Sequence, residues 1–422
     1  MESIAKLPQS VCVIGLGYVG LPLASLVATR GLSVLGVDVN PEVVKTLQSG
    51  EIHIVEPDLH VLVSAAAGSG SLRVSTTPEP ADFFVICVPT PFRGDHQADL
   101  SFVDAAAHAL VPHLRSGSTV ILESTCPPGT TRTLLTPILE ESGLRVGHDL
   151  FIAYCPERVL PGQILRELID NDRVIGGVDV VSTKRAIGFY STFVNGALHE
   201  TDSDTAEMVK LVENAYRDVN IAFANELSLI ADHLSLNVWK VVELANKHPR
   251  VKVLAPGPGV GGHCIAVDPW FIVEKAPAQA RLIRTARQIN DDMPAQIVAK
   301  IEGALKGRKP AKIACFGLTY KANIDDLRES PALEVVSTLI AKGYAVSCHD
   351  PYITDHPSLP LASLEECLVG AHCAVILVDH KQFKYLNWTL LSRHMAQPIF
   401  VDTRGVIPTQ RVSETPKVLL VS

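Results

Sequence analysis

One cysteine, Cys264, stands in the stretch GPGVGGHCIAVDPW, from Gly257 to Trp270. A structural cysteine ordinarily sits in an apolar run, whereas this one is flanked by glycines that leave its thiol sterically accessible. The same glycines strip side chains from the backbone, so a substrate can lie against it. An accessible thiol can add to an aldehyde carbonyl, and a hydride acceptor can then oxidise the adduct to a thioester. Asp268, four residues on, is spaced to orient a lysine or a water. Taken alone, Cys264 is equally a small buried residue; a nucleotide motif elsewhere in the chain tips the balance toward the reactive reading.

That motif is VCVIGLGYVGLP, from Val11 to Pro22. It reads as a buried strand, then Gly15, Gly17 and Gly20, then an apolar helix. A second strand, SVLGVD, ends in Asp38. The glycines serve a tight turn, a close approach to pyrophosphate and a close helix–strand packing, with the helix N-terminus facing the phosphates. Asp38 would accept hydrogen bonds from ribose hydroxyls and repel a 2′-phosphate, which points to NAD over NADP. FFVICVPTP reads as a strand ending at Thr90, and STVILESTCPPGT as one ending near Thr125. Ligands of open parallel sheets sit at such carboxyl ends, so Thr90 and Thr125 are cofactor-binding candidates, with turn-forming threonines as the alternative.

The elements that must hold these groups are α/β units joined by one long helix. TDSDTAEMVKLVENAYRDVNIAFANELSLIADHL has no proline or glycine, and Asp204 with Glu207 resembles a capping box. Met208, Leu211, Val212, Ala215, Val219, Phe223, Leu227 and Ile230 form its expected apolar face. Lys210, Asn214 and Arg217 fall on one polar stripe, ordinarily a solvated face. KIACFGL, SPALEVVSTLIAKG, YAVSCHD and CAVILVDH then read as strand, helix, strand, strand, a second α/β set without a complete glycine fingerprint.

Bulk properties narrow the class. A chain of 422 residues implies two or three domains. Its net charge of −8 and lack of a basic run argue against a nucleic-acid partner, so an anionic ligand must be met by a few placed cations. The nine cysteines show no CxxC pair and no zinc-type spacing, which favours reduced thiols, a cytoplasmic setting and no metal site. The uncharged run from Val11 to Thr29 is broken by Gly15, Gly17, Gly20 and Pro22, which argues against a membrane span.

GLGYVGLP, VPTPF, ESTCPPGT, CPERVLPG, the Lys210-x-x-x-Asn214 helix, GVGGHCIAVDPWF and YKANIDDLRESP occur in one order between about Val11 and Gly405. In this the chain resembles the UDP-glucose/GDP-mannose dehydrogenases. The resemblance implies two Rossmann-like, doubly wound parallel-sheet domains joined by a long central helix: an NAD-binding domain over 1–200, a helical dimerisation region with the cysteine loop over 201–300, and a UDP-binding domain over 301–422. It implies a homodimer that oxidises a UDP-sugar at C6 to the carboxylate with two NAD. Cys264 becomes the nucleophile, Lys210 the proton donor and acceptor, Asn214 its aid, and Asp268 and Glu157 the groups that orient water. Substrate contacts map onto Arg158, Val159, Lys210, Asn214, Arg217, His248, Arg250, Gly261, Tyr320, Lys321 and Arg404, with His248 and Arg250 reaching across the dimer. Tyr18, Val19 and Arg328 join Gly15, Gly17, Gly20, Asp38, Thr90 and Thr125 as NAD contacts.

Overall fold

Strand Ser10–Ile14 shows how the sheet is made. Successive side chains point to opposite faces, so Val11 and Val13 enter one apolar cluster and Cys12 and Ile14 the other. Both faces are therefore covered, as a parallel sheet requires. The computed structural model describes residues 10–160, 162–262, 264–407 and 419–421. The chain divides into two compact units, Met1–Glu213 with Glu274–Pro277, and Asn214–Val273 with Ala278–Ser422.

The first unit holds β1 (Ser10–Ile14), β2 (Ser33–Val37), β3 (Leu72–Ser75), β4 (Phe83–Ile86), β5 (Phe92–Arg93), β6 (Gln97–Ala98), β7 (Ser118–Leu122), β8 (Leu150–Tyr154), β9 (Arg173–Gly177) and β10 (Leu198–Asp202). β5 and β6 form a small antiparallel hairpin. The others make one sheet in the order β10-β9-β8-β7-β4-β1-β2-β3, parallel except where β9 meets β8. Its six strands from β8 to β3 have the doubly wound dinucleotide-binding order, which reverses between β1 and β4. The strands expected to run to Thr90 and Thr125 stop at Ile86 and Leu122. Proline lacks the amide needed for a ladder, and Pro89, Pro91, Pro127 and Pro128 mark the loops that follow.

The second unit holds β11 (Lys312–Phe316), β12 (Ala345–His349), β13 (Cys373–Ile376), β14 (Ile399–Asp402) and β15 (Leu419–Val421). These are all parallel, in the order β12-β11-β13-β14-β15. The order again reverses, here between β11 and β13, which makes the loops after Phe316 and Ile376 the ligand end of this sheet. Two apolar clusters cover its faces, with Ile313 and Cys315 in one and Ala314 and Phe316 in the other.

The long helix runs from Ser203 to His233, and the boundary between the units falls within it, after Glu213. The expected capping box does not form. Asp202 caps instead, its Oδ1 accepting from Thr205 N at 2.9 Å, which leaves Glu207 to a buried loop. Its carboxylate accepts from the Gly129 and Thr131 amides and the Thr131 hydroxyl, and burial raises its pKa. The apolar face is also displaced. Val212, Phe223 and Ile230 are exposed, together with Tyr216. Buried positions include Leu211 and Ala215 of the expected face and, on the same stripe, Asp218, Ala222 and Asn225. Two polar side chains enter it because partners await them, as described below. No helix among the described residues is long and apolar enough to cross a membrane.

Candidate active site

In the first unit the turn after β1 is built for a phosphate group. Gly15 has a φ of +90°, and a Cβ there would stand 2.6 Å from the Cys87 carbonyl oxygen. At Gly17 a Cβ would meet nothing within 4 Å, so this side of the turn is open. Gly20 starts the helix Gly20–Thr29, whose N-cap residue Val19 gives no side-chain acceptor to its first amides. A diphosphate would satisfy them. Tyr18 and Gly17 are exposed. Asp38 accepts from Leu16 N at 3.0 Å and from Asn40 N at 2.9 Å, so it braces the turn while keeping lone pairs for ribose hydroxyls. Thr90 and Thr125 are half-buried just beyond β4 and β7, in loops tied together by Ser124 Oγ donating to the Val88 carbonyl at 2.7 Å. These residues fit NAD.

The same unit carries Lys210, whose Nζ donates to the Glu157 carbonyl oxygen at 2.6 Å. Arg158, next in the chain, is held by Glu213 at 2.8 Å and by the Asp172 carbonyl. Val159 packs on the apolar core. Sequence reasoning missed what lies beneath. Arg173 is 2 % exposed and places Nη1 3.2 Å from Glu157 Oε2 and 3.9 Å from Glu123 Oε1. Tyr190 donates to Glu123, as does the Cys87 thiol at 3.6 Å. Burial raises the Glu123 pKa to about 7, with Arg173 working against the rise. An isolated buried charge is costly, so this cluster fixes the Glu157 side chain rather than leaving it to rotate. The signal was present as single charges beginning or ending apolar strand segments, Arg173 before VIGG and Glu123 after VIL.

In the second unit Cys264 is exposed. Its carbonyl accepts from Asp268 N at 2.9 Å and Val267 N at 3.1 Å, which sets the thiol residue one turn before the helix Asp268–Lys275. Asp268 is 3 % exposed, and its Oδ2 accepts from Asn214 Nδ2 at 2.6 Å. Cys264, Asp268 and Asn214 are thus brought together. Lys210 and Arg217 share the long helix with Asn214, and Arg217 is exposed.

The loop's glycines also have a packing role. A Cβ on Gly262 (φ +78°) would lie 2.9 Å from the Tyr320 ring, and one on Gly261 2.7 Å from Pro331. They let the loop pack on the 320–331 segment. Gly262 N also donates to the Arg328 carbonyl at 3.3 Å. Arg328 itself pairs with Asp326 at 2.7 Å. Tyr320 is half-buried and Lys321 exposed, and burial, with Asp326 and Cys264 nearby, raises the Tyr320 pKa. Arg404, after β14, bonds Asp379 at 2.9 Å and the Pro256 carbonyl at 3.2 Å. His248 and Arg250 are exposed after the helix Val238–Ala245.

The two sheets repeat one turn with one decisive change. Gly317 (φ +85°) donates to the His349 carbonyl at 2.9 Å, as Gly15 donates to Val37 at 2.8 Å. Leu318 N donates to Asp350 at 2.6 Å, as Leu16 does to Asp38. Asp350, however, is 4 % exposed and also accepts from His380 Nε2 at 3.0 Å. Because Asn323 N donates to His380 Nδ1 at 3.0 Å, the ring's proton lies on Nε2 in its neutral form. Burial opposes ionisation of Asp350, yet the bonds from His380 and the Leu318 amide outweigh it and lower the pKa. Asp350 is thus engaged by donors inside the protein, the His380 side chain among them, unlike its counterpart Asp38.

Comparisons with known proteins agree with this division. Sequence profiles of the UDP-glucose/GDP-mannose dehydrogenase family match over residues 9–194 for the NAD binding domain, 204–292 for the central domain and 314–409 for the UDP binding domain. The UDP-N-acetyl-D-mannosamine dehydrogenase of Escherichia coli (strain K12) is 50 % identical over 419 residues, 94 % of this chain and 99 % of that protein. The NDP-N-acetyl-D-galactosaminuronic acid dehydrogenase of Ralstonia nicotianae is 49 % identical over 96 % of this chain and 98 % of its own length. The solved UDP-D-ManNAc dehydrogenase from Pyrococcus horikoshii superposes with a TM-score of 0.89 at 41 % identity, covering 96 % of this chain and 97 % of that one. The chain therefore belongs to the UDP-glucose/GDP-mannose dehydrogenase family and is an NAD-dependent nucleotide-sugar dehydrogenase.

Proposed function

We propose that the protein oxidises C6 of UDP-N-acetyl-D-mannosamine from alcohol to carboxylate, giving UDP-N-acetyl-D-mannosaminuronate. The observation that carries the chemistry is an exposed thiol, Cys264, one turn before a buried carboxylate, Asp268, that Asn214 holds. The Gly15–Gly20 turn would hold NAD, and one NAD for each of the two oxidations would supply the hydride acceptor, the first leaving as NADH before the second binds. Lys210 takes the hydroxyl proton as C6 becomes an aldehyde. Cys264 Sγ, its proton released to solvent, then bonds to the aldehyde carbon as the C=O π bond opens, and the protonated Lys210, with Asn214, stabilises the resulting alkoxide. Loss of a second hydride converts this thiohemiacetal to a thioester. Water adds to the thioester carbon, the C–S bond breaks, and the carboxylate leaves with the thiol restored. Asp268 and Glu157 orient that water.

Tyr18, Val19, Asp38, Thr90, Thr125 and Arg328 serve NAD in this reading. Arg158, Val159, Arg217, His248, Arg250, Gly261, Tyr320, Lys321 and Arg404 serve the nucleotide sugar, the cations meeting the diphosphate. The segments EIHIVEPDL, AYCPERVLPGQ, HPRV and AVDPWF resemble those of UDP-N-acetyl-D-mannosamine dehydrogenases, and the name of the E. coli relative supports that sugar. The Ralstonia relative's name points to a galacto configuration instead. A panel of UDP-N-acetyl derivatives of mannosamine, glucosamine and galactosamine, with UDP-glucose, separates these. The expected result is two NADH per UDP-N-acetyl-D-mannosamine and the highest kcat/KM for it; inertness toward this sugar with turnover of another overturns the assignment.

We further infer a homodimer formed through the long helix. Tyr216, Phe223 and Ile230, spaced seven residues apart, present one exposed apolar stripe along the helix, the kind of surface a subunit interface covers. Light scattering should give twice the mass of one chain. A monomeric mass at micromolar concentration contradicts this.

A further inference from the structure

We propose that Asn225 is a positioning residue for the cysteine loop, acting through a buried hydrogen-bond chain that fixes the loop's root at Gly257. The proposal rests on the reading of Cys264 as the nucleophile and extends it to residues that touch no substrate.

Asn225 lies on the buried stripe of the long helix and is 0 % exposed. Its Oδ1 accepts from Gly257 N at 2.8 Å, and its Nδ2 donates to Asn290 Oδ1 at 2.9 Å. Asn290, on the helix Arg281–Leu305, donates its own Nδ2 to Asp218 Oδ1 at 2.8 Å and to the Asp218 carbonyl at 3.1 Å. Asp218 in turn accepts from Arg287 Nη1 at 2.6 Å, and Arg287 also pairs with Asp291. Asp218, Asn290 and Arg287 are each at most 1 % exposed.

The chain has a single direction. An ionised carboxylate only accepts, so Asp218 forces Asn290 to turn its amide nitrogen inward and its oxygen toward Asn225. That oxygen obliges Asn225 to present nitrogen there, which leaves Asn225 Oδ1 facing the loop as an acceptor. Only one amide orientation at each asparagine pairs both the oxygen and the nitrogen of that amide, and its outcome is an acceptor set for the Gly257 amide. The neighbouring carbonyl, Pro256, is held from the other side by Arg404. A Cβ on Gly259 would meet the Asn290 carbonyl oxygen at 3.0 Å, so the loop also packs directly on the residue that orients Asn225. Cys264 lies seven positions after the Gly257 anchor, and the Gly261 and Gly262 contacts with Pro331 and Tyr320 carry the constraint most of the way.

A side chain that merely satisfied a buried amide would affect stability alone. A positioning residue affects the reactivity of the thiol. The test uses full-length Asn225→Ala, with Ile301→Val, a core truncation on the Arg281–Leu305 helix, as the control for lost stability. Three readouts are taken: kcat and KM, the iodoacetamide alkylation rate of the Cys264 peptide by mass spectrometry, and hydrogen exchange of the peptide spanning Gly257. Asn225→Ala should lower kcat about 10- to 100-fold, the cost of a misplaced reacting group, with little change in KM for NAD. It should also change the Cys264 alkylation rate and speed exchange at Gly257, whereas Ile301→Val should leave all three at wild-type values. If Asn225→Ala does not fold, Asn225→Ser serves, because its hydroxyl retains a polar group in the site.

Wild-type kcat and wild-type alkylation in a folded Asn225 variant overturn the proposal. An activity unchanged by Cys264→Ala overturns the nucleophile reading instead, and alkylation and exchange still report on Asn225 in that case.

Discussion

Cys264→Ala should make no UDP-uronic acid. Without the thiol the aldehyde has no covalent resting place, and the second oxidation has no thiohemiacetal to act on. The variant should bind NAD as the wild type does, because the Gly15–Gly20 turn and Asp38 belong to the other unit. NADH release should stop at or below one equivalent per site in rapid-quench measurements, instead of the two per sugar of continuous turnover. Cys264→Ser should behave likewise, since an alkyl ester forms less readily and leaves more slowly than a thioester. The other cysteines give an internal control. Cys373, for example, is fully buried in the second sheet and its thiol is pushed up to about 12 by burial, so Cys373→Ala should keep its chemistry even if it loses some stability.

Lys210→Ala carries the second large effect. Lys210 Nζ spends one of its donors on the Glu157 carbonyl, which restrains the nitrogen; as the amine it keeps its lone pair for the hydroxyl proton, and once protonated it has two donors for the alkoxide. Removing a positioned general acid and base typically costs about 10²–10⁴ in rate, so kcat should fall by that order with little change in KM for NAD. Lys210→Arg should not rescue it. Guanidinium keeps the charge but stays protonated at any working pH, so it cannot take the hydroxyl proton of the first step. Stopped-flow NADH absorbance checks both variants. A Lys210→Arg enzyme with wild-type kcat would show that charge alone, rather than proton transfer, is required.

Much of this was legible from short-range pattern. The Val11–Gly20 turn, Asp38 and the two open sheets follow from strand, glycine and helix signals that act within a few residues, and these appear where the spacing put them. The failures share one cause, the pull of distant partners. Glu207 looked like half of a capping box, yet the amides of Gly129 and Thr131, far away in sequence, claim it. Asp218 and Asn225 fell between the apolar positions of the long helix and gave no local sign of burial, because Arg287 and Asn290, which make burial tolerable, lie about sixty-five to seventy residues on. Apolar patterning therefore put the helix's inner face in the wrong place by about a quarter-turn, and the polar groups that define the real one could be found only with the fold in hand.

A sugar held covalently on the Cys264 sulfur is best caught by acid quenching during steady turnover. Digestion and mass spectrometry of the quenched enzyme should find the Cys264 peptide carrying a UDP-sugar acyl group, released by hydroxylamine and absent without NAD. An unmodified Cys264 peptide under turnover, together with full carboxylate production by Cys264→Ala, would contradict it.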